Sequence, residues 1–219
     1  MNKLYNIDCM EYMKDKPDNF YDLAIVDPPY GIGAGNENPH TGWKDYGQKQ
    51  WDNSTADKLY FDELLRVSKD QIICGGNYFS EYLYSSQGWI VWNKGQRNFS
   101  LADGELIWTS FDRALRIFDY ARANSNFNTN RIHPTQKPVA LYKWLLTNYA
   151  KPGYKLFDSH SGSGSFRIAA HDMGFDLTSC ELDPDYCRDN ETRYQKHIQQ
   201  NELFSTEEIQ EKIYIQGEL

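Results

Sequence analysis

The segment VDPPYGIG, residues 26–33, places an acid, two prolines and an aromatic residue directly after the apolar run YDLAIV. Pro28 and Pro29 lack backbone donors and fix φ, so the segment is stiff and its carbonyl groups stay available as acceptors. Asp27 adds a carboxylate and Tyr30 a flat apolar face. Together they fit a pocket for a flat molecule that carries an amino group. The alternative interpretation is a strand followed by an ordinary turn, since Pro and Asp are common turn residues.

A second motif, LFDSHSGSGSFRIAA, occupies residues 156–170 and has an apolar run ending in Asp158. Gly162 and Gly164 follow, and glycines let a backbone approach a ligand closely at the start of a helix. The next apolar run ends about twenty residues later in Glu181, the distance at which Rossmann-type folds place an acid on the ribose. The alternative is a Gly- and Ser-rich turn with an unrelated glutamate at the surface.

The second motif also limits the ligand. It lacks the lysine of a P-loop, which argues against a triphosphate. Arg167 stands where a dinucleotide-binding sequence would carry its third glycine. The sequence therefore predicts a smaller nucleoside ligand.

Apolar patterns along the chain predict alternating strands and helices. The predicted strands are 3–8, 21–27, 71–76, 88–94, 104–111, 154–160 and 175–183. The predicted helices are 9–16, 56–69, 77–86, 139–150, one from about 164, and 184–200. The alternation predicts an α/β fold with a mostly parallel sheet covered by helices on both faces, and strands 88–94 and 104–111 form an antiparallel pair.

Composition limits the class of protein. The chain has 219 residues and a net charge of −8, and this negative charge disfavours a general nucleic-acid binder but allows a local basic groove. Its 15% aromatic residues fit either a well-filled core or a protein that stacks on bases. The four cysteines form no CxxC pair, so we expect reduced thiols and no metal site. There is neither a signal-peptide pattern nor an apolar stretch that could span a bilayer, so we expect a cytoplasmic protein without a membrane partner.

The order of three motifs resembles one enzyme family. DPPY (27–30), HPTQKP (133–138) and FDSHSGSGS (157–165) with Glu181 beyond them are similar to S-adenosyl-L-methionine-dependent DNA adenine-N6 methyltransferases of the permuted beta group. The resemblance spans about residues 3–195. It implies a Rossmann-like methyltransferase fold and a single domain over residues 1–219. The chain departs from the family at SHS (159–161), where the family usually has Pro-Phe-Ala or a similar segment.

The resemblance also implies roles for individual residues. Asp27, Pro28, Pro29 and Tyr30 would form the catalytic site that holds the flipped-out base. The residues that would contact S-adenosylmethionine are Asp8, Thr135, Lys137, Asp158, Ser161, Gly162, Ser163, Gly164 and Glu181. Asp8 would lie near the adenine, Glu181 at the ribose, and Thr135 and Lys137 at the carboxylate end. His133 is expected to be structural, because direct methyl transfer requires no histidine base.

DNA would lie across the edge of the sheet where the two motifs meet, with recognition loops at about 31–56 and 111–132. The predicted contacts to phosphates or base edges are Lys94, Arg97, Arg113, Arg116, Arg122 and Arg131. An acidic chain with so small a recognition tract could form a homodimer to grip DNA.

Other readings stay open at this point. The same fold could methylate cytosine N4 or adenine in RNA, although cytosine enzymes tend to carry Ser in place of Asp27. A non-catalytic subunit that binds nucleic acid or cofactor is another class, although such partners usually lose the acid or the glycines. A small-molecule NAD enzyme is disfavoured by the missing third glycine.

Overall fold

The computed structural model describes residues 2–34, 49, 52–98, 102–121 and 132–203, with 201–203 described by their backbone alone. Within them lie eight strands: β1 Lys3–Asn6, β2 Tyr21–Val26, β3 Ser68–Cys74, β4 Ile90–Asn93, β5 Gly104–Thr109, β6 Arg116–Asp119, β7 Lys155–Asp158 and β8 Asp176–Glu181. The α-helices of these ranges are α1 Cys9–Lys14, α2 Lys58–Val67, α3 Val139–Tyr149, α4 Ser165–Asp172 and α5 Pro184–Leu203. No helix of the described ranges is long and apolar enough to cross a membrane.

The strands form one sheet in the order β1-β8-β7-β2-β3-β5-β4-β6. Strand β5 runs antiparallel to its neighbours β3 and β4, and the remaining pairs are parallel. The carboxyl ends of seven strands and the amino end of β5 therefore meet at one edge of the sheet, called here the carboxyl edge. The predicted mostly parallel α/β fold with one antiparallel strand is confirmed.

Successive residues of the central strands face opposite sides of the sheet, as the period of a strand requires. Leu23 and Ile25 of β2 pack in one core with α3 and α4. Ala24 and Val26 pack in the other with α1 and α2. Because both faces are covered, β2 reads as a continuous apolar run rather than an alternating one.

Short polar side chains fix where the helices begin. Asp8 precedes α1, and its carboxylate accepts a hydrogen bond of 2.8 Å from the amide of Met10. Asp57 caps α2 in the same way through the amide of Tyr60. These side chains satisfy amides that have no partner inside the helix.

The path of the chain creates a crevice at the centre of the carboxyl edge. From β2 the chain passes through α2 to β3 on one side, whereas from β7 it passes through α4 to β8 on the other. Because β2 and β7 are neighbours, their connections diverge and leave a gap, which is where open α/β sheets bind ligands. Both sequence motifs lie at this point.

Two sequence predictions of secondary structure were incomplete. The helix expected at 77–86 is wrong: it is a single 3₁₀ turn, Gly76–Tyr78, followed by turns. Gly75 before it adopts a φ of 66°, and buried Phe79 anchors the segment to the core, so packing overrides a weak helical pattern. Strand β6 was missed, because it has four residues at the sheet edge and only Phe118 of them is buried.

Candidate active site

The tetrapeptide leaves the carboxyl end of β2 and turns along the edge of the sheet. The Tyr30 hydroxyl donates a hydrogen bond of 2.7 Å to Oδ1 of Asp27. A single β-bridge joins Tyr30 to Thr55 and fixes the backbone after the prolines. Asp27 and Tyr30 are therefore held as a unit by side chain and backbone together.

Three further charged side chains form a connected cluster with Asp27. Nζ of Lys137 lies 2.5 Å from Oδ2 of Asp27 and 3.1 Å from Oε1 of Glu105. Nζ of Lys94 lies 3.2 Å from Oε2 of Glu105. The hydroxyl of Tyr30 is also 3.0 Å from Oε1 of Glu105. We call Asp27, Tyr30, Lys94, Glu105 and Lys137 the charge network.

The charge network is largely removed from water, which makes its ionisation states depend on one another. Burial raises the pKa of Asp27; the ammonium of Lys137 opposes this, and the carboxylate of Glu105 adds to it. Burial disfavours the charge on Lys137, but the two carboxylates outweigh burial and raise the pKa of Lys137. Burial also disfavours the charge on Glu105, yet the two lysines lower the pKa of Glu105 overall.

The second motif forms a tight loop between β7 and α4. Gly162 and Gly164 have φ of 47° and 73°, a region that favours glycine. The amide of Gly162 donates to Oε2 of Glu181 over 2.8 Å, so the acid that ends β8 holds the glycine loop. The loop runs directly into α4, whose first residue is Ser165.

Helix α5 supports this loop from behind. The side-chain amide of buried Asn190 donates to Oγ of Ser161 (2.9 Å) and to the carbonyl of Gly162 (3.1 Å). Arg193 donates to the carbonyl of Ser163 over 2.7 Å. The sequence analysis missed Asn190 and Arg193, because they lie in a helix whose only visible signal was its opening proline.

The crevice contains two adjoining cavities. The larger, the loop cavity, has a volume of about 690 Å³ and is lined by the glycine loop, Glu181 and Asp8. The smaller, the tetrapeptide cavity, has a volume of about 450 Å³ and is lined by residues 27–30, Tyr78, Lys94 and Glu105. Five residues line both: Asp27, Pro29, Thr135, Gln136 and Lys137. Asp27 thus stands on the wall between the two cavities.

Most of the predicted cofactor residues line the loop cavity: Asp8, Thr135, Lys137, Ser161, Gly162, Ser163 and Glu181. Asp158 and Gly164 are not among the lining residues. Asp158 is buried behind the loop, where Oδ1 accepts a hydrogen bond from the amide of His160, and burial raises its pKa to about 8. The ammonium of Lys137 bonds the two carboxylates of the charge network, and its predicted contact with a cofactor carboxylate stays a prediction.

The unusual SHS segment supplies polar groups to the loop cavity. Oγ of Ser159 lies 2.7 Å from the hydroxyl of Tyr60 and 2.8 Å from Nδ1 of His160. Burial lowers the pKa of His160 to about 4 and that of His133 to about 3, so both imidazoles are neutral at pH 7. Nδ1 of His133 lies 3.1 Å from the hydroxyl of Thr135 and shapes the turn before Lys137.

The predicted DNA contacts divide between two edges of the sheet. Lys94 and Arg97 follow β4 at the carboxyl edge, and Lys94 lines the tetrapeptide cavity. Arg113 and Arg116 lie at the opposite edge, because β5 ends and β6 begins there. Arg113 also donates to the carbonyl of Asn148 at the end of α3. The predicted contacts of Arg113 and Arg116 with DNA stay predictions, and the position of these residues at the opposite edge argues against them.

Parts of the predicted recognition loops fall outside the described residues. These include Arg122 and Arg131 and most of the segment 35–51. Within the described part, Lys49 of the first loop pairs with Asp183 at 2.8 Å, beside the loop cavity. Potential metal-ligand atoms of Asp27, Cys74 and Glu105 also lie close together in the described part. Lys137 already supplies the two carboxylates with a positive charge, so this cluster gives no reason to expect a metal ion.

A family model and a curated protein that match this chain are both methyltransferases. The N6/N4 methyltransferase family, described as DNA methylase, matches residues 105–192. The type II methyltransferase M1.MboII of Moraxella bovis is 20% identical over an alignment of 246 positions that covers 85% of this chain and 94% of that protein.

Two solved structures share the fold. The M1.HpyAVI–SAM complex has a TM-score of 0.59 at 18% identity, covering 88% of this chain and 98% of that one. The PvuII DNA methyltransferase, which is cytosine-N4-specific, has a TM-score of 0.60 at 14% identity, covering 88% and 86%. The expected Rossmann-like methyltransferase fold is confirmed.

Proposed function

We propose that this chain, as a single domain, transfers a methyl group from S-adenosyl-L-methionine to the exocyclic N6 amine of adenine in DNA. The observation that carries the proposal is the position of Asp27 on the wall shared by the two cavities. A donor in the loop cavity and a base in the tetrapeptide cavity would meet at this carboxylate. An arrangement with Asp27 far from the glycine loop would have excluded the proposal.

The loop cavity fits S-adenosylmethionine in size and charge. Its volume of about 690 Å³ is in the range of small-molecule sites. The charged side chains among its described lining residues are Asp8, Asp27, Asp57, Lys137, Glu181 and Asp183. This excess of carboxylates favours a cationic ligand, and S-adenosylmethionine would supply a methyl group activated by a positively charged sulfur.

Within this cavity the chain's own groups divide the work of binding. Glu181 would accept hydrogen bonds from the ribose while its Oε2 keeps its bond to Gly162. Gly162 and Ser163 would let the backbone pass close to the methionine part. Asn190 and Arg193 hold this backbone in place through Ser161, Gly162 and Ser163.

Asp27 would activate the target nitrogen. The exocyclic amine of adenine is a weak nucleophile because its lone pair is delocalised into the ring. Asp27 and the carbonyl of Pro28 can each accept one N–H hydrogen bond, which draws the nitrogen toward a tetrahedral shape and directs its lone pair at the methyl group. Positioning and electrostatics then carry most of the rate, and no covalent enzyme intermediate is needed.

The base must leave the helix to reach the tetrapeptide cavity. The ring of Tyr30 is now stacked on that of Tyr78, with centroids 4.8 Å apart and planes inclined by 12°. Tyr78 is 44% exposed, so its ring can move aside when a base stacks on Tyr30. The paired tyrosines thus mark a surface that accepts a flat ring.

The comparisons support a DNA methyltransferase without separating adenine N6 from cytosine N4. The family that matches includes both types by its name, and the PvuII enzyme is described as cytosine-N4-specific. Our preference for adenine rests on the acid at position 27, since cytosine enzymes tend to carry Ser there. RNA adenine methylation and a non-catalytic subunit are the other outcomes that an experiment must separate.

One assay tests the proposal. The protein is incubated with radiolabelled S-adenosylmethionine and duplex DNA, single-stranded DNA or RNA, and the methylated base is identified by chromatography. We expect label in N6-methyladenine from DNA. Label in N4-methylcytosine would overturn the choice of base, label only in RNA would overturn the polymer, and no label despite cofactor binding would indicate a non-catalytic subunit.

Two variants test the role of Asp27. Asp27→Ala should abolish transfer and leave the affinity for S-adenosylmethionine within about threefold, because other groups hold the cofactor. Asp62→Ala removes an acid that pairs with Lys58 on the outer face of α2, and it should change neither property. Loss of cofactor binding in Asp27→Ala alone would refute the assigned role.

A further inference from the structure

We propose that Glu105 is a positioning residue for methyl transfer: it shares Lys137 and Tyr30 with Asp27 and so keeps the Asp27 carboxylate available to the target amine. This inference rests on the proposed function. Glu105 belongs to no motif of the sequence and was absent from the predicted site. Its place at the edge follows from the antiparallel direction of β5, which brings the start of that strand beside the tetrapeptide.

The contacts of Glu105 show how it is shared. Its Oε1 faces both the ammonium of Lys137 at 3.1 Å and the hydroxyl of Tyr30 at 3.0 Å. These are the same two groups that contact Asp27, at 2.5 Å and 2.7 Å. Each of the two donors therefore lies between two carboxylates. The ammonium of Lys137 can donate to both at once, whereas the single proton of the Tyr30 hydroxyl goes to one of them at a time.

Burial makes this sharing consequential. The side chains of Lys137, Glu105 and Asp27 are 4%, 13% and 20% exposed. Charges in such a site interact more strongly than in water. The charge network contains two acids and two lysines, so its formal charges cancel. Removing the negative charge of Glu105 leaves two positive charges, on Lys94 and Lys137, with Asp27 as the single acid of the charge network.

Four other titratable groups of the described residues interact electrostatically with Asp27, without a hydrogen bond to it. These groups are Cys74 on β3, Tyr142 on α3, Tyr60 on α2 and Asp158 on β7. Burial raises the pKa of the Cys74 thiol and of both tyrosine hydroxyls, so they stay neutral at pH 7. Among the described side chains, Lys137 and Tyr30 bond Asp27 directly, and Glu105 contacts both of these groups.

Loss of Glu105 should therefore weaken Asp27 as an acceptor. Without a second carboxylate, Lys137 turns fully to Asp27 and competes with the target amine for its lone pairs. The pKa of Asp27 then falls, because Glu105 raises it in the native chain. Loss of Lys137 has the opposite effect on that pKa, because its positive charge lowers it. A merely structural role for Glu105 predicts no such opposite shifts.

The experiment measures kcat and kcat/KM for DNA methylation against pH in the full chain. For Glu105→Gln we expect kcat to fall about ten- to hundredfold, as misplacement of a reacting group does, with an unchanged Kd for S-adenosylmethionine. In the plot of kcat against pH, the fall of activity on the acidic side should move to lower pH in Glu105→Gln and to higher pH in Lys137→Met. Glu105→Asp should restore part of kcat. Asp62→Asn, with the same charge change at the surface, should match the wild type.

A second measurement does not need activity. The ¹³C signal of the Asp27 carboxyl group, assigned by its loss in Asp27→Asn, is titrated in the wild type and in both variants. Glu105→Gln should lower the Asp27 pKa and Lys137→Met should raise it. A wild type without methyl transfer would refute the proposed function and leave this titration intact. An active wild type whose Glu105→Gln and Glu105→Asp variants keep its kcat and Asp27 titration would overturn the inference.

Discussion

Replacing Gly164 by alanine tests whether α5 shapes the cofactor loop. Gly164 has a φ of 73°, and a Cβ added there would lie 2.3 Å from Oδ1 of Asn190. Asn190 has no exposed surface and bonds Ser161, Gly162 and Arg167, so it cannot move without breaking buried hydrogen bonds. The substitution therefore strains the backbone and displaces the side chain that holds the loop.

The structure offers a matched control. Gly174 has nearly the same φ, 72°, but a Cβ there meets no atom within 4 Å. Gly174→Ala should lower the free energy of unfolding by the left-handed backbone cost alone, about 1–2 kcal/mol. Gly164→Ala adds the loss of a buried hydrogen-bond partner, about 1–3 kcal/mol more. The difference between the two variants isolates the contact with Asn190.

Urea unfolding gives the two stabilities, and isothermal titration calorimetry gives the affinity for S-adenosylmethionine. We expect Gly164→Ala to weaken that affinity at least about tenfold, since about 1.4 kcal/mol of loop distortion corresponds to that factor. Gly174→Ala should leave the affinity unchanged. Equal stabilities and equal affinities in the two variants would refute the reasoning about Asn190.

Three further predictions follow from other contacts. Tyr30→Phe should lower the single-turnover rate about ten- to hundredfold without changing the Kd for S-adenosylmethionine, because it removes a hydrogen bond to the charged Asp27. Burial raises the pKa of Asp158 from 3.8 to about 8, so the folded protein retains a proton that the unfolded chain loses. This contribution to the free energy of unfolding is present below pH 4 and is lost as pH rises to about 8. In urea unfolding measured against pH, Asp158→Asn should lack this loss of stability. A variant with the same pH dependence as the wild type would contradict the burial argument. Arg97→Ala should weaken DNA binding and reduce the salt slope by about 1, whereas Arg116→Ala, at the opposite edge, should match the wild type in the same salt titration. Equal effects of the two arginines would contradict the assignment of the edges.

Much of the fold follows from local patterns in the sequence. The central strands are visible because burial on both faces gives unbroken apolar runs such as YDLAIV. Helix α5 is visible because Pro184 opens it, and α3 because its apolar residues recur at helical spacing. Strand β6 and the 3₁₀ turn are not visible, since in both cases contacts with distant residues decide the conformation of a short segment.

The site divides in the same way. Asp27, the glycine loop and Glu181 each follow a strand, so their types and positions can be read in order along the chain. Glu105 and Asn190 act through contacts with residues far away in sequence. Glu105 contacts Tyr30, 75 positions away, and Asn190 contacts Ser161, 29 positions away. The position of Arg113 and Arg116 was hidden for the same reason, because a local excess of positive charge in the sequence does not reveal which edge of the sheet it reaches.

The reversed strand β5 has a consequence for how this protein could change. Glu105 pairs with Trp92 inside the hydrogen-bonded ladder of β4 and β5, so its backbone has the rigidity of the sheet. Asp27, by contrast, stands where a strand has just ended. Because the backbone of Glu105 is held in the ladder, the position of its carboxylate at the carboxyl edge does not depend on the conformation of the surrounding loops. Under the proposed function, insertions or replacements in those loops would change the contacts with DNA while Glu105 keeps its position beside the charge network.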